Sequence, residues 1–421
     1  MMSKQSAIIL ILTVFLGALG ALIWFYFNIS NNNQIEPVPF PLNPTETYNP
    51  FDNTVKTTTI PSSTTTSTST ANITEVVPVT LSKDKLRQIS DTPQSGFSIT
   101  EDTKTKRTII RYSLRLNSNI YEAYTDSAES KRLSITTVPK SYESLWLPDG
   151  QNLILRYLKD KTEDIQTFSV KINPATTTLN EFQGGIDGSF LPENIKSLVI
   201  NPLGDKIFYL LNNSKGSSGY VSKPSGLNKK LIFESPTTEW NISWPKEGII
   251  TFNSKPSSSV EGYLYFLNST NGDFSKVLGK INGLTTKTDK TAASVLYSDS
   301  IRNTPRLYLF NIKTNESKLL PWSTFPEKCL WSNTDSKIIY CAVPKNFPTG
   351  DYPDVWYQGL VNFTDDVWLI NTDTMSSTLV FDPQRQANKN LDMTDLQLDK
   401  NDNFLFFTNK TDLTLWSLNL K

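Results

Sequence analysis

Histidine is absent from the 421 residues of the chain, and cysteine occurs only at Cys329 and Cys341. The lack of histidine excludes Ser-His-Asp and Cys-His catalysis, histidine-ligated zinc or iron, and a histidine general base. Two thiols are too few for a cysteine-rich zinc site, so they form either a disulfide or two free thiols. The sequence therefore predicts neither a metal site nor a cofactor.

Net charge is also lacking, because 41 Lys and Arg side chains balance 41 Asp and Glu side chains. Such a balance gives no support for binding to nucleic acid. Paired acids at Asp351/Asp354 and Asp365/Asp366 are the notable candidates for acid–base chemistry, although sequence cannot establish the separation that such chemistry needs. We expect Asp365 and Asp366 to begin a strand on a solvent-exposed face.

One long hydrophobic run is present, at residues 7–27, with 21 residues and no charge. A helix of this length spans roughly 30 Å, the thickness of the hydrocarbon core of a bilayer. Lys4 precedes the run and the next basic residue is Lys56, so we place residues 1–6 in the cytoplasm and the rest outside. The alternative is a cleaved signal peptide, but the apolar run continues through 22–27, past the small residues that would mark cleavage. We therefore predict a single-pass anchor in the cell membrane.

Residues 28–80 show no sustained hydrophobic period and are rich in Asn, Pro, Thr and Ser. Such a segment buries too little apolar surface to offset its chain entropy, so we predict a disordered linker. As a coil of about fifty residues it would separate its ends by roughly 40 Å and hold a folded domain, residues 81–421, away from the membrane.

Short strands recur along that domain as a polar turn followed by an apolar strand. We count seven such strands, and most intervals between them are 42 to 54 residues long, the length of a four-stranded propeller blade. They begin near Ile109, Leu153, Ile207, Ile249, Ala293, Ile338 and Phe404. The copy near Ala293 is weakly marked, which leaves counts of six or eight blades open. The strand that follows in each of four units shares a five-residue pattern: an aliphatic residue, an aromatic residue, any residue, an apolar residue and Asn. The four copies are at 264–268, 307–311, 367–371 and 415–419.

The two ends of the repeat indicate a closed ring. The chain stops at Lys421, just after the third strand of the last unit, while a surplus strand at 85–90 precedes the first unit. Pairing this strand into the last blade would remove the open edges of a linear array. The sequence therefore predicts an all-β propeller of seven four-stranded blades, the last of them closed by the N-terminal strand.

The polar turns and the Leu-Tyr-x-x-Asn strands resemble those of TolB-like and WD-repeat propellers. The chain also resembles largely uncharacterised membrane-anchored propeller proteins of small-genome bacteria. It departs from the WD-repeat pattern in lacking the Gly-His and Trp-Asp pairs that end each blade. The resemblance implies the fold and leaves the function open, because propellers include enzymes, scaffolds and binding modules.

The longest interval contains an insertion, residues 342–364, between the second and third strands of the sixth blade. The resemblance implies that this connection lies on the face where ligands and partners dock. Aromatic side chains are common in binding hot spots, and long ordered loops are often functional. Our candidate binding residues are Tyr352, Asp354, Trp356, Tyr357 and Gln358. The alternative is that Trp356 and Tyr357 only pin the loop to the blade.

Cys329 and Cys341 lie at equal distances from Asp335, six residues on either side. If the segment forms a hairpin, the two cysteines face each other across it, within reach of a disulfide. Outside the cytoplasm such a pair is oxidised. We predict a disulfide at the base of the insertion, with two free buried thiols as the alternative.

The sequence favours a non-catalytic module that presents its propeller to a protein or a glycan of the cell envelope. This interpretation rests on the anchor, the linker and the absence of a nucleophile–base pattern. An Asp/Glu-dependent hydrolase or lyase acting on surface glycans remains the alternative. It requires at least two carboxylates that converge in the central channel or beside the insertion. A further hypothesis is assistance in assembling an envelope complex.

Overall fold

The structure of the protein, a computed structural model, describes residues 85–162, 164–178, 181–300 and 304–421. The predicted cytoplasmic segment, membrane helix and linker lie outside these residues. Within the described ranges, no helix is both long enough and apolar enough to cross a membrane.

The described strands form seven antiparallel four-stranded sheets, which are the blades of a β-propeller. In blades 1 to 6 the four strands follow one another in the chain. Blade 1 comprises β2 (Gln94–Glu101), β3 (Thr108–Leu114), β4 (Ile120–Tyr124) and β5 (Ser127–Arg132). Blade 2 comprises β6 (Ser141–Trp146), β7 (Asn152–Leu158), β8 (Ile165–Thr178) and β9 (Glu181–Phe190). Blade 3 comprises β10 (Ile195–Ile200), β11 (Ile207–Asn213), β12 (Gly216–Ser222) and β13 (Lys230–Ser235).

The remaining blades repeat this order. Blade 4 comprises β14 (Trp240–Lys246), β15 (Ile249–Ser254), β16 (Glu261–Asn268) and β17 (Phe274–Asn282). Blade 5 comprises β18 (Thr285–Thr288), β19 (Ser294–Asp299), β20 (Arg306–Asn311) and β21 (Glu316–Leu319). Blade 6 comprises β22 (Cys329–Trp331), β23 (Ile338–Pro344), β24 (Asp365–Asn371) and β25 (Ser377–Phe381). In the described part of the chain, helical turns at Pro326–Lys328, Asp354–Tyr357 (α1) and Pro383–Ala387 (α2) connect strands.

Blade 7 closes the ring with strands from both ends of the domain. It comprises β26 (Met393–Leu398), β27 (Phe404–Asn409), β28 (Leu415–Asn419) and, as its outermost strand, β1 (Leu86–Ser90). Leu86 lies opposite Leu418, and Gln88 lies opposite Trp416. The predicted blade number and the predicted closure by the N-terminal strand are therefore confirmed.

The second strand of each blade is a nearly continuous apolar run because both of its faces are covered. Ile207, Phe208, Tyr209 and Leu210 of β11, for example, are each fully buried. The core consists of clusters between adjacent blades. One of them joins Phe406 of blade 7 to residues of blade 1. Packing of blade against blade therefore stabilises the ring.

Short polar side chains terminate the strands and shape the turns. Asp149 Oδ1 accepts hydrogen bonds from the backbone N–H groups of Gln151 (2.8 Å) and Asn152 (3.0 Å), in the turn between the first and second strands of blade 2. The Asn that ends the third strand accepts a bond from the following turn at Asn268, Asn311, Asn371 and Asn419. The repeated Asn thus has a local physical cause.

The antiparallel order assigns each connection to one of two faces. Turns between strands one and two lie on one face, which we call the turn face. Connections between strands two and three, together with the links from blade to blade, lie on the other face, which we call the loop face. The insertion and the helical turn Pro326–Lys328 therefore share the loop face.

Candidate functional site

The insertion leaves β23, forms α1 and returns to β24, so it connects the second and third strands of blade 6 as expected. Asp354 Oδ2 accepts a hydrogen bond from the backbone N–H of Ser258, 2.7 Å away in the corresponding loop of blade 4. The hydroxyl of Ser300, after β19 of blade 5, donates to the carbonyl of Tyr352. The insertion therefore leans across the loop face toward blades 5 and 4.

The five candidate binding residues differ in exposure. Tyr352 is fully buried and Trp356 is 3% exposed, whereas Tyr357 is 40% exposed and Gln358 is also exposed. Asp354 is half-buried, and although burial alone would raise the pKa of its carboxyl, hydrogen bonds from the serine loop of blade 4 lower it. A partner docking on this conformation of the loop would meet Tyr357 and Gln358 rather than Tyr352 and Trp356.

Beneath the insertion, four buried aromatic rings pack together: Phe325, Tyr352, Trp356 and Phe363. The rings of Phe325 and Trp356 stack with centroids 4.9 Å apart and an interplanar angle of 8°. Offset stacking of this kind stabilises beyond the area that it buries. This cluster fixes the insertion to the blade.

The predicted disulfide is present. Cys329 of β22 pairs in register with Cys341 of β23, with 4.1 Å between their Cα atoms, and the two sulfurs are bonded. Both residues are fully buried. The bond therefore staples the hairpin from which the insertion departs.

Asp365 and Asp366 begin β24 as expected, but the expected solvent-exposed face is wrong for Asp365. Its side chain is fully buried, where it meets the equally buried Lys328. Asp366 is half-buried and forms an ion pair with Lys345, 2.8 Å away. The sequence pattern missed this burial because adjacent acids in a strand normally face water.

A cavity of about 820 Å³ lies on the axis of the propeller. It is lined by the first strands of five blades, with Gln94 and Phe97 from blade 1, Tyr142 and Trp146 from blade 2, Leu198 from blade 3, Trp244 from blade 4 and Gln397 from blade 7. Side chains from distant parts of the chain meet there because the first strand of each blade faces the axis. We call this cavity the central channel.

Four polar atoms of channel-lining residues are buried and have no hydrogen-bond partner among the residues that the structure describes. They are Gln94 Oε1, Tyr142 Oη, Trp146 Nε1 and Trp244 Nε1. Gln94 is 4% exposed and Trp244 is 6% exposed. Each of these atoms has almost no solvent-accessible surface, so a ligand in the channel does not reach it in this conformation. The lining side chains that do have accessible surface include the partly exposed Tyr142, Trp146 and Gln397 and the exposed Asp395.

Charged side chains of blades 5, 6 and 7 also gather near the axis. Lys287 of β18 interacts electrostatically with Glu327, in the turn before β22, and with Asp395 of β26. Burial lowers the pKa of Lys287, and the two carboxylates oppose that shift. Desolvation raises the pKa of Glu327 and of Asp395, and Lys287 opposes both shifts. The side chain of Asp395 is exposed within the channel, so solvent limits the shift there. The hydroxyl of Tyr357 donates to Glu327 Oε1, which connects the insertion to this group.

The backbone places Asp395 in an unusual conformation. Its φ is +52°, and the pairing of β26 with β27 shifts register between Thr394 and Gln397. Bulges of this kind re-aim a side chain, and Asp tolerates the left-handed region better than most residues. The bulge places Asp395 in the lining of the central channel.

A second cavity, of about 610 Å³, lies at the turn face between blades 7 and 1. Its lining carries charges of both signs, including Glu101, Lys106 and Asp149. Within the described ranges, no group of three or more acidic or cysteine side chains is placed to hold a metal ion.

No protein-family model matches the chain, and no curated protein gives a significant match. Solved structures do match. An oligogalacturonate lyase in complex with manganese is 13% identical and covers 78% of this chain and 97% of its own, with a TM-score of 0.49. An oligogalacturonate lyase from Vibrio parahaemolyticus is 10% identical at the same coverage and TM-score. TolB from Acinetobacter baumannii is 11% identical and covers 67% of this chain and 62% of its own, with a TM-score of 0.41.

This chain is a seven-bladed propeller with structural similarity to those proteins at low identity. The fold itself is shown by the seven sheets described above. The similarity to these structures says nothing about the ligand, partner or activity of this chain.

Proposed function

We propose that this protein is a binding module of the cell envelope, held outside the cytoplasm by its N-terminal hydrophobic segment, and that its central channel binds a glycan. The observation that carries the proposal is the channel itself, about 820 Å³ in volume, whose lining places the partly exposed rings of Tyr142 and Trp146 beside the polar side chains of Gln397 and Asp395.

The size and chemistry of the channel suit a short oligosaccharide. Its volume of about 820 Å³ lies within the range of ordinary ligand sites, roughly 300–1,000 Å³. Sugar hydroxyls both donate and accept, so a glycan can bind both the amide of Gln397 and the carboxylate of Asp395. The rings of Tyr142 and Trp146 supply apolar surface beside those polar groups.

The proposal is tested by screening the full chain, in a detergent without sugar headgroups, against an array of defined oligosaccharides. The strongest binder is then titrated against Gln397→Ala. This variant removes one accessible polar side chain from the channel wall. We expect weaker binding by about two- to tenfold, since one hydrogen bond contributes about 0.5–1.5 kcal/mol.

Gln151→Ala is the matched control. Gln151 is an exposed glutamine in the turn between β6 and β7, and it does not line the central channel. We expect it to leave affinity unchanged. Equal effects of the two variants, or no bound oligosaccharide at all, would refute channel binding. Co-purification of a protein partner in that case would favour protein binding through the exposed Tyr357 and Gln358.

The second candidate is the Asp/Glu-dependent hydrolase or lyase. It is favoured by one observation, the electrostatic interaction of Glu327 and Asp395 with the same ammonium group, that of Lys287. A catalytic acid needs a raised pKa, and desolvation raises that of both carboxyls, with Asp395 exposed to the channel. Incubation with the bound oligosaccharide distinguishes the two functions. Release of shorter products that stops in Asp395→Asn would establish an enzyme, and an intact ligand would establish a binding module.

A further inference from the structure

Lys328 lies in the core of the protein between two carboxylates. Its Nζ atom is 2.7 Å from Asp365 Oδ2 and 2.6 Å from Asp392 Oδ1, and all three side chains are 0% exposed. The three residues come from different elements: the helical turn before β22, the first residue of β24 and the residue before β26. Lys328 also donates a hydrogen bond to the backbone carbonyl of Met393 (3.0 Å), and the partly buried Lys410 interacts electrostatically with Asp392. Two carboxyl groups and one amine thus lie in contact without access to water.

Aromatic rings close the site. Lys328 Nζ is 5.1 Å from the ring centroid of Trp356 and 5.4 Å from that of Phe363. Ionised groups are costly to bury in such surroundings unless they are paired. A neutral amine is a nucleophile, whereas an ammonium group is not.

The two carboxyl groups are held differently. Asp392 Oδ2 accepts hydrogen bonds from Trp356 Nε1 (2.9 Å) and from the backbone N–H of Phe363 (3.1 Å), while its Oδ1 faces Lys328. Asp365 Oδ2 accepts from the backbone N–H of Met393 (2.7 Å), and its Oδ1 is buried with no partner among the described residues. Asp392 is therefore bound firmly as an acceptor, and Asp365 retains one free oxygen.

We propose that Lys328 and Asp365 join in an intramolecular isopeptide bond, with Asp392 as the group that transfers the protons. This inference is independent of the proposed glycan site. It rests on three buried groups at contact distance in a closed aromatic pocket.

The reaction balances without any further reactant. Asp392 takes one proton from the ammonium of Lys328, and the neutral amine attacks Cγ of the protonated carboxyl of Asp365. A C–N bond forms in the resulting tetrahedral intermediate. Asp392 gives its proton to the Oδ1 hydroxyl of Asp365, the C–Oδ1 bond breaks, and one water molecule leaves. Asp392 then takes the second proton of the amine. The products are an amide, water and a protonated Asp392.

The electrostatics of the site support the protonated form of Asp365. Burial raises the pKa of its carboxyl to about 6, and the negative charge of Asp392 adds to that shift, while Lys328 opposes it. After condensation, neither Lys328 nor Asp365 carries a charge. The cost of burying an ion pair is then removed from the folded state.

The bond would tie the start of β22 to the start of β24, and the loop that it closes contains β23, the disulfide partner Cys341 and the whole insertion. A cross-link reduces the entropy of the unfolded chain, in the same way as a disulfide. Unlike a disulfide, an amide resists reducing agents.

Mass spectrometry of the purified full chain, after reduction and alkylation of the cysteines, tests the proposal. We expect an intact mass lower than that of the sequence by one water molecule. Proteolysis should yield a branched peptide that joins the segments around Lys328 and Asp365. A mass equal to that of the sequence, or a branch at Asp392 in place of Asp365, would overturn the proposal.

Two variants check the chemistry. Lys328→Met removes the nucleophile, and Asp392→Asn keeps the size of the side chain while removing the group that takes the proton. We expect both to show the full mass of their sequences. Loss of water that persists in Lys328→Met would place the modification elsewhere and overturn the assignment. If neither variant accumulates, the wild-type measurement alone decides.

Discussion

Removing β1 tests whether its pairing with β28 in blade 7 stabilises the closed propeller. We compare a chain that begins at Lys85 with one that begins at Thr92. The first keeps β1 and the second lacks it, and both keep every other described strand. The second chain loses the pairing with β28, in which Leu86 lies opposite Leu418.

The structure sets the size of the effect. Leu86 and Ile89 are each 8% exposed, and burial of such a side chain stabilises by about 1.5–3 kcal/mol. The two together give about 3–6 kcal/mol, and the backbone hydrogen bonds to β28 add about 0.5–1.5 kcal/mol each. A typical domain has a free energy of unfolding of only about 5–15 kcal/mol. We therefore expect the shorter chain to be unfolded or far less stable.

Urea denaturation followed by tryptophan fluorescence measures the difference. A point variant, Ile89→Ala, gives a graded check, with an expected loss of about 2–5 kcal/mol. Leu116→Ala is its control, because Leu116 is 75% exposed and its truncation should have little effect. Equal denaturation midpoints for the two truncated chains would show that β1 does not hold the ring closed.

Three further predictions concern blade 6 and its neighbours. Replacing Cys329 and Cys341 by serine should lower the free energy of unfolding, measured by thermal melting, by about 3 kcal/mol, because a disulfide that closes a loop of similar length contributes that much. Unchanged stability would contradict a stapling role. Phe325→Ala removes a fully buried ring and should lower the free energy of unfolding by about 3–5 kcal/mol, and limited proteolysis should then cut within residues 345–364. If the loop stays resistant to the protease, the aromatic cluster does not pin it. Asp402→Ala removes a carboxylate of blade 7 that accepts hydrogen bonds from three residues of blade 6, and we expect chemical denaturation to show a free energy of unfolding lower by about 2–4 kcal/mol. Unchanged stability would mean that these hydrogen bonds make no net contribution.

Much of the fold could be predicted because short local sequence patterns repeat from blade to blade. A turn followed by an apolar strand marks the second strand of a blade, and the Asn after the third strand bonds the next turn in each copy. The disulfide could be predicted for a similar reason. Cys329 and Cys341 are equidistant from Asp335, and a regular hairpin brings such positions into register.

The candidate site was harder to predict because it depends on which strand faces the axis. Trp146 and Trp244 recur near the same strand position as other tryptophans, and that pattern indicates core packing. Both do pack against core clusters, but both also line the central channel. Periodicity along a strand identifies an apolar face and does not distinguish a blade interface from the wall of a cavity.

The buried charges gave no sequence signal at all. Lys328 and Asp392 are separated by 64 residues, and each alone is an ordinary charged residue of a polar segment. The aromatic residues of the insertion, in contrast, gave a signal that fitted two interpretations. The structure places Trp356 against Phe325 and hydrogen-bonds its indole to Asp392, which is the pinning role expected in the alternative.

The position of β1 has a mechanical consequence. It is the outermost strand of blade 7 and also the point at which tension on the preceding chain would reach the domain. A pull along β1 loads its hydrogen bonds to β28 in shear, so that they resist together, whereas a pull away from the sheet peels them one at a time. The force at which this propeller opens should therefore depend on the direction of the pull and be set by blade 7.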